Sequence, residues 1–447
     1  MSARLSTTRA AALAAVAAFA GAASVYALAN GVDRAAEVDV PAVRAVQPIG
    51  DLAVVFDVGD VDREVIDLTD AAARRVGATA STSRSGSLGM QRMTRNGATV
   101  HAPPAGYLIP MVYISLPDGA VGGVMGADVS QVLTPDSVVM NEVTASITGA
   151  QVGDVVVMQS RTGSVVPLTV AGIRSYDQIG WAELVFTFDV AERLGATADT
   201  RVVVWDIDDR QAFDDAVADV GLLTRRDTKV NRSWDPPDPD DTLSTARTKV
   251  ALGEPWYTLT ADGSISMHPT WQAANLAPGR VLLNETIRIR ARCHVQVEPA
   301  LRAALAEVAA AGLAGAIDVA NANSAGGCYV PRYSRTSGFL SRHTYGMALD
   351  TNTQSNCNGC VPQMDCRVVR IFRKHGFAWG GNFRRPDGMH FEWVGEPRDQ
   401  ISFPSTYCPN IVNPLTEDAQ PGPVGAGVLT AGGEGMVHSH HDHPHGS

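Results

Sequence analysis

No cluster of lysine or arginine interrupts this 447-residue chain, and its formal net charge is −11, from 36 Lys+Arg against 47 Asp+Glu. That balance lacks the basic footprint of a nucleic-acid partner, and none is expected. Beyond the first thirty residues no apolar run is long enough to cross a bilayer, which argues against a polytopic membrane protein. No cysteine precedes Cys293. With 45% hydrophobic and 19% charged residues there is no compositional case for wholesale disorder. At this length two or three domains are the prior.

What is present begins with a targeting segment. Arg4 and Arg9 form a basic start, Ala10 to Ala29 is apolar and free of charge, and Ala27-Leu28-Ala29 has the small-x-small form of a cleavage site. Residues 1–29 are read either as a signal peptide or as an uncleaved N-terminal membrane anchor, followed by a linker over 30–52. Both alternatives put the protein outside the cytoplasm, extracellular or in the cell envelope. Cysteine usage agrees with export. Cys293, Cys328, Cys357, Cys360, Cys366 and Cys408 are even in number and allow three disulfides. Cys357 and Cys360 could instead form half of a second metal site, but no matching second CxxC exists.

Residues 53–227 read as a β-rich α+β domain. VVFDV, GYLIPMVYISL, DVVVM, PLTVAGI, ELVFTF and RVVVWDI are β-branched or aromatic runs bounded by Gly, Asp and Pro. Two short helices are predicted, over Asp67 to Arg75 and Asp209 to Asp219. No catalytic constellation stands out here, and His101 is expected to be solvent-exposed. Asn141 to Ile173 reads as a short helix, a Val-Gly-Asp turn, a strand and a hairpin. This segment resembles the extracytoplasmic core domain of ABC-transporter permeases of the efflux and cell-division type. The resemblance implies an envelope-protein partner for the domain.

WDPPDPDD, Trp234 to Asp241, cannot form a helix or a central strand, so 228–245 is read as a Pro/Asp-rich linker. The domain over 246–412 opens a second pattern. Glu298 to Ala311 is an amphipathic helix with Pro299 near its first turn, and Leu301, Leu305 and Val308 recur on one face. Cys366 to His375 is another, closed by Gly376 at its C′ position. Residues 413–447 read as a disordered His-rich tail, in which VHSHHDHPHGS could bind metal loosely.

Within this domain, Ser341 to Asp350 reads SRHTYGMALD and Asp387 to Trp393 reads DGMHFEW. His343 and Asp350 are seven positions apart, His390 follows forty later, and Asp387 precedes it by three. Two imidazoles and one carboxylate make the ligand set of a catalytic zinc with one position open for water. A further carboxylate, Asp387, is what metal-assisted hydrolysis needs as a base. The seven-residue spacing suits one helix face, yet Tyr345 to Leu349 fits a loop running into a buried strand better. His390 lies in a second strand-like run, and the two strands side by side would gather the ligands.

These motifs, with AWGGNF between them, resemble the zinc D-alanyl-D-alanine carboxypeptidase and peptidoglycan endopeptidase family. Its relatives include the vancomycin-resistance dipeptidases and, more remotely, the metal domain of Hedgehog. The resemblance spans about Glu298 to Trp393. It implies Zn2+ on His343, Asp350 and His390, Asp387 as general base, and Arg332 as the oxyanion-stabilising cation, with Arg335 close enough to compete. Ser341, Trp379, Gly380 and Arg335 would line the substrate site, Trp379 alternatively as core, and Glu392 would support His390 or form a plain salt bridge. Phe383 stands where many members carry a tryptophan or similar aromatic after W-G-G-x, a departure that bears on substrate shape and not on metal binding. The implied fold is α+β, a small antiparallel sheet flanked by helices. The implied function is an exported zinc metallopeptidase acting on peptidoglycan peptides. The alternative is a non-catalytic, zinc-stabilised binding module of the cell envelope.

Overall fold

The computed structural model describes residues 50–225, 227–260, 264–319, 324–334 and 338–410. The targeting segment and the His-rich tail lie outside the described residues. No helix among the described residues is long and apolar enough to cross a membrane.

The architecture is α+β, as expected. Ten strands form the larger sheet: β1 (Ala53–Phe56), β2 (Thr79–Arg95), β3 (Ala98–His101), β4 (Ile109–Leu116), β5 (Ser137–Asn141), β6 (Val155–Gln159), β7 (Val165–Arg174), β8 (Leu184–Thr187), β9 (Arg201–Trp205) and β10 (Lys229–Arg232). Their order is β10-β1-β9-β2-β4-β8-β5-β7-β6, with β3 on β2 and a further pairing of β2 with β6. Since β2 pairs with both β4 and β6, strands β2, β4, β8, β5, β7 and β6 close into a ring. Closure removes exposed sheet edges. Met90, Met111, Met140, Met158 and Phe186 fill a fully buried core there.

The 17-residue β2 was not among the predicted strands. Its sequence, TASTSRSGSLGMQRMTR, is polar and glycine-containing. Tertiary context selects the strand: a Cβ at Gly89 would lie 2.6 Å from the Leu108 side chain, so glycine lets β2 pass close to its neighbour. Helix α1 (Arg63–Arg75) begins earlier than the predicted Asp67, because Asp62 caps it by accepting a hydrogen bond from the Val65 amide. The segment Asn141 to Ile173 folds as read: Asn141 caps α2 (Glu142–Thr148), and β6 and β7 form the hairpin. Helix α3 (Arg210–Asp219) is capped by Asp209. His101 is not simply exposed; it is half-buried and its Nε2 lies 2.7 Å from Glu254. Residues 229–232, at the start of the stretch expected as a linker, form β10 against β1. Asp238 and Asp240 just beyond are buried.

The C-terminal half opens with α4 (Thr245–Leu252) and two small hairpins, β11 (Tyr257–Leu259) with β12 (Ile265–Met267), and β13 (Val281–Leu282) with β14 (Arg290–Ala291). Helix α5 (Glu298–Ala310) buries Leu301, Leu305 and Val308 at helical spacing. The second largest sheet has four antiparallel strands in the order β15 (Ala325–Cys328), β16 (Ala348–Thr351), β18 (His390–Trp393), β17 (Phe377–Trp379). Helix α6 (Cys366–Lys374) buries Val368, Val369 and Phe372, and Glu307 on α5 receives Lys374 and His375 from its C-terminal end.

All six cysteines are paired: Cys293–Cys328, Cys357–Cys360 and Cys366–Cys408. The CxxC pair is thus a disulfide and not half of a metal site. Cys366–Cys408 closes a loop of 42 residues. Replacing both cysteines by serine is expected to cost about 3–4 kcal/mol, mostly by freeing the unfolded chain. A lower urea midpoint, with a slope that rises as the freed unfolded chain exposes more surface, would report this, and an unchanged midpoint would refute it.

Candidate metal centre

Local sequence sets the first ligand. Ser341 caps a short 3-10 turn, Arg342–Tyr345, its hydroxyl accepting from the His343 amide at 3.4 Å. Ser341 therefore orients the loop. Gly346 ends the turn at φ +69°, and a Cβ there would meet Leu276 at 2.7 Å and the His294 amide nitrogen at 2.9 Å. Only glycine fits both the left-handed backbone and the space. The chain then enters β16, so the loop-into-strand arrangement is the one adopted. His343 is buried, and its Nδ1 lies 3.2 Å from the Cys328 carbonyl. A carbonyl only accepts, so Nδ1 carries a proton, and Nε2 is the nitrogen that presents a lone pair whenever the ring is neutral. That Nε2 is buried without a hydrogen-bond partner, 3.3 Å from Asp350 Oδ1.

Asp350 on β16 is directly opposite His390 on β18. His390 Nδ1 lies 3.1 Å from Asp350 Oδ1, and its Nε2 lies 3.3 Å from Glu392 Oε2. Glu392, on the same strand face two residues on, is itself buried and accepts from Arg342 Nε at 3.2 Å. It thus both supports His390 and forms a salt bridge. Donor atoms of His343, Asp350 and His390 all lie within 4.8 Å of one another, the one such group among the described residues.

The electrostatics follow from this crowding. Burial alone would raise the Asp350 pKa, but the two imidazoles hold its carboxyl well below the usual range. Burial would lower the His390 pKa, yet its hydrogen bonds to Asp350 and Glu392 prevail and lift it to about 10.

Asp387 stands outside the three-residue group. It is buried, and its Oδ1 has no hydrogen-bond partner. Burial pushes its carboxyl up, with Asp350 adding to the rise and His390 opposing it. Its backbone is held at both ends: its amide donates to the Gly380 carbonyl at 2.8 Å, and its carbonyl accepts from the His390 amide at 2.9 Å. A Cβ on Gly380 would lie 2.7 Å from that Asp387 carbonyl oxygen and 3.1 Å from the His390 Cβ. Gly380 therefore acts as a close-approach backbone position. Gly381 is needed for a different reason, because a Cβ there would strike the Trp379 ring at 2.1 Å.

Of the two readings of Trp379, cleft wall or core, the fold adopts the core. Trp379 is wholly buried in the hydrophobic core, with its indole N–H on the Gly388 carbonyl at 2.9 Å. It braces the turn before Asp387 and offers no surface to a substrate. Phe383 is also buried, its ring 6.0 Å from His390. Arg332 is half-buried, and its carbonyl accepts from the Ser341 amide and the Thr344 hydroxyl, both at 3.0 Å. Its guanidinium makes no ion pair among the described residues. Arg335 lies outside the described residues. Sequence reasoning passed over Arg342, whose pairing with Glu392 bridges segments 50 residues apart and leaves no local signal.

The site is a His–Asp–His centre, with Asp350 and His390 on adjacent strands and His343 on the turn before them, and with a buried spare carboxylate beside it, a donor set of the hydrolytic metal-site class. Residues 334–393 match the family model described as D-alanyl-D-alanine carboxypeptidase. The C-terminal region is thus D-alanyl-D-alanine carboxypeptidase-like at the level of a peptidase domain. Among solved structures, the chain is similar to the extracellular domain of the noncanonic ABC-type transporter YknZ from Gram-positive bacteria. The identity is 11%, covering 38% of this chain and 88% of that one, with a TM-score of 0.25. That score does not define a shared fold. No curated protein matches the chain.

Proposed function

We propose that the protein is an exported zinc metallopeptidase hydrolysing peptide bonds of bacterial peptidoglycan stem peptides, as a D-alanyl-D-alanine carboxypeptidase or endopeptidase. The observation that carries this reading is the convergence of His343, Asp350 and His390 inside the matched stretch. The donors fit zinc. His343 Nε2 is a buried nitrogen with no hydrogen-bond partner, and His390 Nδ1 faces the same carboxylate. Each ring's other nitrogen is taken up, by the Cys328 carbonyl and by Glu392, the arrangement that fixes tautomer and orientation for a metal. When bound, zinc polarises a carbonyl and lowers the pKa of water.

The chain's own groups supply the remainder. Asp387 Oδ1 takes the proton of the attacking water and returns it to the leaving amine. Burial makes Asp387 a stronger base than an ordinary aspartate. Arg332 stabilises the developing oxyanion, a role that rests on the family resemblance. Three disulfides and the apolar segment after Arg4 and Arg9 support export. The β-rich half would position the peptidase or bind an envelope protein.

The test is metal content and product release from peptidoglycan by the whole protein. One zinc per chain is expected, falling at least tenfold in affinity in His390→Ala, together with release of D-Ala or a cleaved peptide. Stoichiometric zinc without turnover on any muropeptide would favour a binding module. Absence of zinc would remove the site assignment.

A further inference from the structure

We propose that the β-rich half forms part of the peptidase site, with Arg161 and Phe339 as positioning residues that hold the hairpin leading into His343. This rests on the peptidase reading above. The hairpin is defined by a bridge between Tyr333 and Leu340 and by the Ser334 amide on the Phe339 carbonyl at 2.7 Å. It continues directly into the Ser341 cap, and the Ser341 amide returns to the Arg332 carbonyl. Whatever fixes this hairpin therefore fixes both Arg332 and the turn carrying His343.

Two contacts from the β-rich half grip it. Phe339 is 5% exposed and sits in that half's own core with Val54, Phe56, Trp181 and Trp205. Its ring meets Trp181 edge-on at 5.8 Å. At the other strand of the hairpin, Arg161 from the β6–β7 turn places its guanidinium carbon 3.9 Å above the Tyr333 ring. The loop before Asp387 is held in the same way, with the Arg384 guanidinium carbon 5.3 Å from the Phe56 ring centre. Both segments that deliver catalytic groups thus rest on the larger sheet.

The two halves are also joined by buried contacts elsewhere. Lys249 on α4 donates to Glu183 at 2.7 Å, and both side chains are buried. Leu108 lies in the C-terminal core and exchanges backbone hydrogen bonds with Tyr257 at 2.7 and 2.9 Å. A simple tether between independent domains would need none of these contacts. Interdomain packing for stability alone would not explain Arg161, which is exposed and so contributes little by burial. Its contact is with the ring of Tyr333, and holding that ring is the use assigned to it.

The experiment uses the whole protein with Arg161→Ala, Arg161→Lys and Phe339→Ala. It reads zinc per chain, kcat and KM on peptidoglycan peptides, and amide hydrogen exchange at Ser341 and Thr344. In Arg161→Ala, kcat is expected to fall roughly fivefold with zinc and KM unchanged, and both amides to exchange faster. Arg161→Lys keeps a cation over the ring and should recover most of both effects. Phe339→Ala should give the same pattern, larger. Wild-type exchange and kinetics in Arg161→Ala, or protected amides in Phe339→Ala, would overturn the proposal. Should the wild type itself show no turnover, the peptidase reading fails, and the exchange data still decide whether the β-rich half holds the hairpin.

Discussion

Asp387→Ala is expected to lower kcat by about 10³-fold while one zinc per chain stays bound. The separation of the two effects follows from geometry. The three residues whose donor atoms converge are His343, Asp350 and His390, and Asp387 is not among them. Its backbone bonds to Gly380 and His390 survive truncation of the side chain, so the turn should keep its shape. What disappears is a buried carboxylate oxygen with no hydrogen-bond partner, raised in pKa by burial beside the ligand set. Asp387→Asn makes the test sharper. It preserves volume and polarity and removes only the capacity to take a proton, so it should be nearly as inactive as alanine. Equilibrium dialysis of zinc beside steady-state kinetics would separate the outcomes. Retention of more than a tenth of wild-type kcat in either variant would mean that another group serves as base. Loss of zinc in both would place Asp387 among the ligands instead.

The site was legible in the sequence because its chemistry is written in short, local patterns. Alternation in HFEW puts His390 and Glu392 on one strand face, and Gly346 marks where a turn must end before a buried strand begins. Pairing β16 with β18 needed only the inference that two strands carrying ligands lie side by side, and Asp350 is indeed opposite His390. The helical faces of α5 and α6 were likewise visible in their apolar spacing. What escaped was long-range. Strand β2 has too few apolar residues to announce itself, and it is a strand because β4, β6 and β9 pair with it. Trp379 looked equally suited to a cleft wall and to a core. Only the fold decides, by burying it beneath the turn before Asp387. The contact of Arg342 with Glu392, and the docking of Phe339 among the aromatics of the other half, join distant segments that no local pattern connects.

Asp240 is the plainest case of such a connection, and Asp240→Ala is expected to cost about 4 kcal/mol of folding stability. The residue belongs to the Pro/Asp-rich stretch that composition alone marks as solvated linker, yet it is fully buried. It binds Arg373 of α6 through both carboxylate oxygens, at 2.9 and 2.5 Å. It also accepts from the Trp379 amide at 3.0 Å and from the Asn382 side chain at 2.9 Å. One carboxylate therefore satisfies α6, β17 and the W-G-G-N turn together. Removing it strands the Arg373 cation in the interior and leaves the donors of Trp379 and Asn382 without this acceptor. Burial would raise the Asp240 pKa, but Arg373 and these donors prevail and hold it below the ordinary value. Its stabilisation is thus fully present above the unfolded carboxylate pKa of about 3.9 and is lost as pH falls through the lower folded value. The charge argument has a direct check in Asp240→Ala combined with Arg373→Met. If the uncompensated cation dominates, the double variant should regain roughly half of the lost stability, because the stranded Arg373 charge is gone. Urea midpoints at neutral pH would decide it. A double variant no more stable than the single one would shift the cost to the Trp379 and Asn382 donors, making the turn before Asp387, and not the ion pair, what Asp240 chiefly maintains.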